Sequence, residues 1–222
     1  MSRIGATAAI GGSGLLFVAT LLHPMSADPN DAPAAFAEYA ADHLWVASHL
    51  GQFVGVAILG VALVALAATM EPGRPAAWAR IGVVGTAASV ATAAGLQAVD
   101  GVALRVMVTR WMQSTGDARA RAFEGAFAVR QIEVGMASLL SVLFGFTIST
   151  FGVAMLSSRR FPRWLGGLGL VGGLATVGAG IAQAYTGFSP LAMNLSMPAS
   201  STLLVWALVV GTFLWRLAPE LR

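Results

Sequence analysis

Apolar residues run almost unbroken through six stretches of the chain, at about 4 to 22, 45 to 69, 81 to 104, 132 to 156, 165 to 187 and 201 to 217. A helix that crosses a bilayer needs roughly 20 mostly apolar residues, so each stretch is expected to form one spanning helix. Little chain remains for a water-soluble domain. The expected fold is all-α: one integral membrane domain over residues 1–222, a polytopic bundle of six transmembrane helices.

The polar intervals add detail. In the first, residues 23 to 44, Pro24, Pro29 and Pro33 keep the start irregular, and Asp31 stands where it can cap a short helix from about Ala32. Phe36, Tyr39 and His43 would share one face of that helix and Glu38 and Asp42 another, giving an amphipathic lid over the bundle mouth. The segment "DARARAFEGAFAVR" between the third and fourth spans reads as a second amphipathic helix, lying on the membrane surface. Gly169 and Gly173 in the fifth span, and Gly11, Gly12 and Gly14 in the first, are small residues of the kind that let membrane helices approach closely. The first and fifth spans are therefore expected to be neighbours.

Composition sharpens the class. The chain is 57% hydrophobic and only 10% charged, far below the roughly one quarter of an ordinary soluble domain. It has no cysteine, which removes disulfides, thiolate metal sites and Cys nucleophiles. All 13 basic residues are arginine, so a lysine Schiff base to retinal or pyridoxal phosphate is impossible. The net charge of +3 comes from arginines spread over helix ends, which is a topology signal and not a nucleic-acid surface. P-loop, dinucleotide, G-x-S-x-G and H-E-x-x-H motifs are absent.

Arg3, Arg74, Arg80, Arg159, Arg160, Arg163, Arg216 and Arg222 fall on one side of a six-span topology, and the acidic 23–44 loop falls on the other. The positive-inside rule then places both termini in the cytoplasm of a bacterial inner membrane. Arg105, Arg110, Arg119, Arg121 and Arg130 sit on the opposite side and run against it. The N-terminal apolar run is expected to stay as an uncleaved first helix, being longer than a signal-peptide core.

At "SSRRFPRWLGGLGLVGGL", residues 157 to 174, the chain resembles a family of bacterial six-helix integral membrane proteins catalogued only as a domain of unknown function. Phe161, Pro162, Arg163, Leu165 and Gly166 match that family's aromatic-Pro-Arg-x-Leu-Gly turn into its fifth helix. Residues 77 to 97 look like its third helix. The resemblance implies the topology and carries no activity.

Ionisable groups within a span cost of order 2.5–3.5 kcal/mol on insertion scales, so each is a functional candidate. His49 with Gln52 in the second span, Gln97 with Asp100 in the third, Arg130 with Glu133 at the fourth, and Gln183 with Tyr185 in the fifth all fall at one level. His23 joins them from the end of the first span. The expected site is an outward-facing polar pocket with His49, Asp100 and Glu133 as acid–base groups. His23, Trp45, Gln52, Gln97, Arg130, Gln183 and Tyr185 would contact the ligand, with Trp45, Phe53 and Trp206 as an apolar wall. Plain structural roles stand beside this: an Arg130–Glu133 ion pair, an interfacial His43, an Asp100–Arg105 contact.

The expected function is binding of a hydrophobic or amphipathic small molecule, with acid–base isomerisation or cyclisation of a lipid-like substrate as its chemistry. No metal or other cofactor is expected. Haem or a divalent metal held by the histidines is the alternative, and a non-enzymatic transporter, sensor or accessory subunit is a third reading. Membrane lipid is the expected partner, nucleic acid is not, and a homo-oligomer is left open.

Overall fold

A computed structural model describes residues 1–217, so Arg222 lies outside the described residues. Among the described residues eight α-helices follow one another: α1 Ser2–Leu21, α2 Ala32–Ala41, α3 Trp45–Ala67, α4 Arg74–Gln97, α5 Arg105–Gln113, α6 Gly116–Ser157, α7 Arg163–Thr186 and α8 Pro190–Leu217. A π-helical segment, Ala98–Leu104, joins α4 to α5 without a break. Six of the resulting rods are long and apolar enough to cross a membrane, as the hydropathy pattern demands: α1, α3, Arg74–Gln113, α6, α7 and α8. The protein is a multi-pass membrane helical bundle.

The spans close into a ring. α1 packs on α3, α3 on α4, α4 on α6, α6 on α7, α7 on α8, and α8 back on α1. Gly5 lies against Ala65 and Leu214, which puts the start of α1, the end of α3 and the end of α8 at one end of the bundle, the terminal end. The opposite end carries α2. Within the ring runs an apolar cavity of about 220 Å³, lined by Leu16 of α1, Leu59 of α3, Phe144 of α6, Thr176 of α7 and Leu203 of α8 among others. Two of its hydroxyls are turned back on their own helices: Ser141 donates to Ala137 O at 3.0 Å and Thr176 to Gly172 O at 2.8 Å.

The glycines act where backbones meet. A Cβ on Gly145 would stand 2.5 Å from Gly173 O, and one on Gly152 would stand 2.5 Å from Leu170 N, so α6 and α7 approach more closely than any larger residue allows. Gly12 of α1 faces Gly55 and Leu59 of α3, while Gly11 and Gly14 face open space. The expected pairing of the first and fifth spans is therefore corrected. The α1 glycine meets α3, and α7 divides its small residues between α6 and α8, with Gly169 against Trp206. Small residues announce a close contact without saying with whom.

The polar 105–130 region is also corrected. It holds no surface-lying helix: α5 continues the third span, turns at Ser114–Thr115, and returns as the first part of α6. At about 1.5 Å per residue the 42-residue α6 is roughly 60 Å long, about twice the hydrocarbon core. The α5–α6 hairpin projects as a stalk, and Arg110, Arg119 and Arg121 ride on it. α2 docks against this stalk, burying Ala35, Phe36 and Tyr39 with Leu104, Val108, Trp111 and Ala126. Asp31 caps it as expected, accepting from Ala34 N at 3.2 Å.

Candidate functional site

The polar level is built first by α3 and the chain running antiparallel beside it. Spacings of three residues put His49 and Gln52 on one face of α3, and Gln97 and Asp100 on the opposing face. The two faces meet in register: His49 Nε2 lies 3.1 Å from Asp100 Oδ2, and Gln97 Nε2 donates to Gln52 Oε1 at 3.2 Å. Trp45 ties the arrangement together. Its Nε1–H donates to Asp100 O at 3.1 Å, and its own carbonyl accepts from His49 Nδ1 at 2.6 Å. A Cβ on Gly101 would come within 2.5 Å of His49 Cβ, so only glycine lets the π-helical segment lie this close to α3. π-Helical turns shift the phase of a helix, and they recur at functional positions. Here the turn carries Asp100.

His23 enters from the turn after α1. Its Nδ1 donates to Pro24 O at 2.8 Å, and its ring sits 5.0 Å from that of His49 and 5.0 Å from that of Trp45. Burial lowers the pKa of His23 below its ordinary value, and the like charges of His49 and Arg130 add to this against the opposing pull of Asp100 and the Pro24 bond. At neutral pH it is an uncharged imidazole. One ligand atom from each of His23, His49 and Asp100 lies within 4.8 Å of the other two.

A buried ion pair completes the level. Arg130 and Glu133 of α6 are 7% and 2% exposed and meet at 2.5 Å. The Arg130 guanidinium stands 5.5 Å from the Tyr39 ring centroid and 4.7 Å from that of Phe188, held between α2 and the α7–α8 turn. Burial pushes the Tyr39 phenol up to about 12; Arg130 opposes the shift, while Glu133, Asp100 and Glu38 add to it. The carboxylates of Asp100 and Glu133 thus act on the same ring. Gln183 of α7 is buried, and its Nε2 has no partner among the described residues; nor have Gln97 Oε1 and Asp100 Oδ1.

His49, Asp100, Glu133, His23, Trp45, Gln52, Gln97 and Arg130 are brought to one end of the ring, and Gln183 is buried at the level of α6 where Gly180 faces Ser138. Tyr185 is not part of it. It is 87% exposed, because two residues along a helix turn a side chain by about 200°, and Gln183 facing inward sends Tyr185 outward. His43 is also apart: α2 ends at Ala41, and His43 is exposed in the following turn. Trp206 belongs to the cavity below, where it donates to Leu165 O at 3.0 Å, and Phe53 is half-buried one turn beyond His49. Arg105 turns away from Asp100 and donates to the carbonyl of Tyr39.

Three contributors carried no functional signal in the sequence. Tyr39 reads from sequence as part of a lid's apolar face, and nothing in the sequence singles out Phe188 or Gly101.

No curated protein and no solved structure matches the chain. The family comparison does give a match, over residues 5–214, and it is consistent with the six apolar spans. The chain belongs to the family described as Domain of unknown function (DUF4386).

Proposed function

We propose that the protein binds an amphipathic molecule with a single hydrocarbon chain, its oxygen-bearing head at the polar level and its tail in the ring cavity. One observation carries this reading. On three separate helices a polar residue of the cluster stands seven positions from a cavity-lining residue: His49 and Val56 on α3, Glu133 and Leu140 on α6, Gln183 and Thr176 on α7. Seven residues are two turns, so the members of each pair share a face about 10 Å apart. Head and tail compartments therefore lie on the same inward helix faces, two turns apart.

Size and chemistry agree. An apolar void of about 150 Å³ takes up benzene, while drug-sized ligands need roughly 300 Å³ or more. The 220 Å³ cavity suits a flexible chain better than a fused ring system. The unpartnered Asp100 Oδ1 and Gln183 Nε2 offer the head an acceptor and a donor. His49 with Asp100, and Glu133 held by Arg130, are the groups able to hold or move a proton at that head. The arginines of the terminal end, Arg3, Arg74, Arg80, Arg159, Arg160, Arg163 and Arg216, favour a cytoplasmic placement of that end and an outward-facing site.

A diazirine-bearing long-chain alcohol tests the reading. Irradiated with purified protein in detergent, it should label peptides of α3, α6 and α8 that line the cavity. Ala207→Phe, which fills the cavity, should abolish the labelling at an unchanged melting temperature. Labelling confined to the lipid-facing surface, or unaffected by Ala207→Phe, rejects the proposal.

A further inference from the structure

The geometry points to a second ligand at the same level: a first-row divalent transition-metal ion held by His23, His49 and Asp100. This goes beyond the amphipathic-ligand reading and does not rest on it.

The argument starts from hydrogen positions. A carbonyl oxygen can only accept, so the His49 nitrogen that lies 2.6 Å from Trp45 O must carry the proton at Nδ1. The same holds for His23, whose Nδ1 lies 2.8 Å from Pro24 O. In their neutral form both imidazoles are therefore held in the tautomer that leaves the lone pair on Nε2. Holding Nδ1–H on a backbone carbonyl is how proteins orient histidines that bind metals through the other nitrogen.

His49 Nε2, so prepared, faces Asp100 Oδ2 at 3.1 Å. Two electron-pair donors at that distance repel unless a proton or a cation stands between them. Metal–ligand distances of about 2.0–2.2 Å place neighbouring ligand atoms about 3 Å apart, so this pair already has the spacing of two adjacent ligands. The third ligand, His23, lies outside α1 and α3 on a turn, and it can close the remaining gap within the 4.8 Å set by moving alone. Two imidazoles and one carboxylate form a donor set suited to iron, manganese or zinc, with coordination positions left open.

The surroundings are built to hold those ligands in place. Trp45 bonds to both His49 and Asp100, and Gly101 admits the His49 side chain against the segment that bears Asp100. The third histidine of the chain, His43, is exposed and apart, which provides a matched control.

Chelator-stripped protein in detergent, titrated with Co²⁺ and with Zn²⁺, tests the inference. One ion per chain is expected, with a visible Co²⁺ spectrum that Zn²⁺ displaces. His23→Gln, His49→Gln and Asp100→Asn should each weaken binding at least about 100-fold, and His43→Gln should leave it unchanged. Ala207→Phe, which blocks the cavity, should not alter metal affinity, so this test and that of the amphipathic ligand fail separately. Should the buried variants misfold, pulsed electron paramagnetic resonance on unmutated protein loaded with Cu²⁺ still decides, because two imidazole nitrogen couplings are required. Absence of stoichiometric binding, fewer than two such couplings, or equal loss on changing His43 overturns the assignment.

Discussion

The two ends of the helical ring use polar residues in opposite ways. At the terminal end Glu71 accepts from Ser158 Oγ at 2.5 Å and from Arg159 N at 3.1 Å, and Arg160 donates to Thr69 O at 2.7 Å. These bonds staple the α3–α4 connection to the α6–α7 connection. Partial burial raises the Glu71 pKa, and the bonds from Ser158 and Arg159 with the charge of Arg160 outweigh it, so the carboxyl sits below its ordinary value. At the α2 end the polar groups lie inside the ring, and several are left incomplete. Among the described residues, Asp42 Oδ2, Gln97 Oε1, Asp100 Oδ1 and Gln183 Nε2 are buried there without a partner, with Ser13 Oγ the one such atom elsewhere. Buried polar groups without partners are costly, and proteins seldom keep them without a use. One end is a fastening, and the other has hydrogen-bonding capacity left over.

Removing one charge at each end should expose the contrast most strongly. Arg130→Ala leaves Glu133 buried and unpaired, which costs about 3–5 kcal/mol for an interior ion pair. Arg160→Ala loses one partly exposed bond to a carbonyl and should cost about 1 kcal/mol. Melting in detergent followed by circular dichroism measures both. Equal losses would remove the distinction between the two ends.

A smaller effect separates the site from ordinary packing. Gly101→Ala forces a methyl group onto His49 and should cost about 1–3 kcal/mol by overpacking, with loss of the His49–Asp100 contact. Gly135→Ala, on α6 with open space around it, should be neutral or stabilise the helix by up to about 1 kcal/mol. Histidine chemical shifts of the two variants report whether the contact survives.

How much of this was legible beforehand varies with the physics involved. Hydropathy revealed the six spans because lipid demands it, and Asp31 as a cap was legible because capping is local. Helical spacing placed His49 with Gln52 on one helix face and Gln97 with Asp100 on another, and only the structure shows the two faces meeting. The outward turn of Tyr185 was equally legible from its two-residue offset from Gln183, and it was overlooked. The stalk was hidden because hydropathy falls where a helix leaves the bilayer, although its backbone bonds continue unchanged. The grip of Phe188 and Tyr39 on Arg130 depends on three elements far apart in sequence, and no local pattern encodes it.

The smallest effect concerns how α2 is tethered. Glu38 accepts from Ser26 N and Ala27 N, both at 2.9 Å, and although burial raises its pKa these bonds lower it below the ordinary value. A carboxylate depressed on folding stabilises above its unfolded pKa, near 4.5, and loses that contribution as pH falls through the lower folded value. Amide exchange of residues 24–31, corrected for its intrinsic pH dependence, should accelerate in that acid window. Glu38→Gln should show the faster exchange already at neutral pH and no further acid response. A tether unaffected by either change would mean that the stalk contacts alone hold α2.

The π-helical segment Ala98–Leu104 fits one more residue into its height than an ordinary helix would. A sister sequence shorter by a single residue between Gln97 and Arg105 would close into regular α-helix with the chain beyond the gap in nearly the same phase, so the change would fall on the segment that carries Asp100 and Gly101. Val108 and Trp111 would keep their place against α2, and the meeting of Asp100 with His49 would be the part lost. The length of that interval is thus a spelling rule, by which chains able to assemble this end of the ring can be told from kin that share only the six spans.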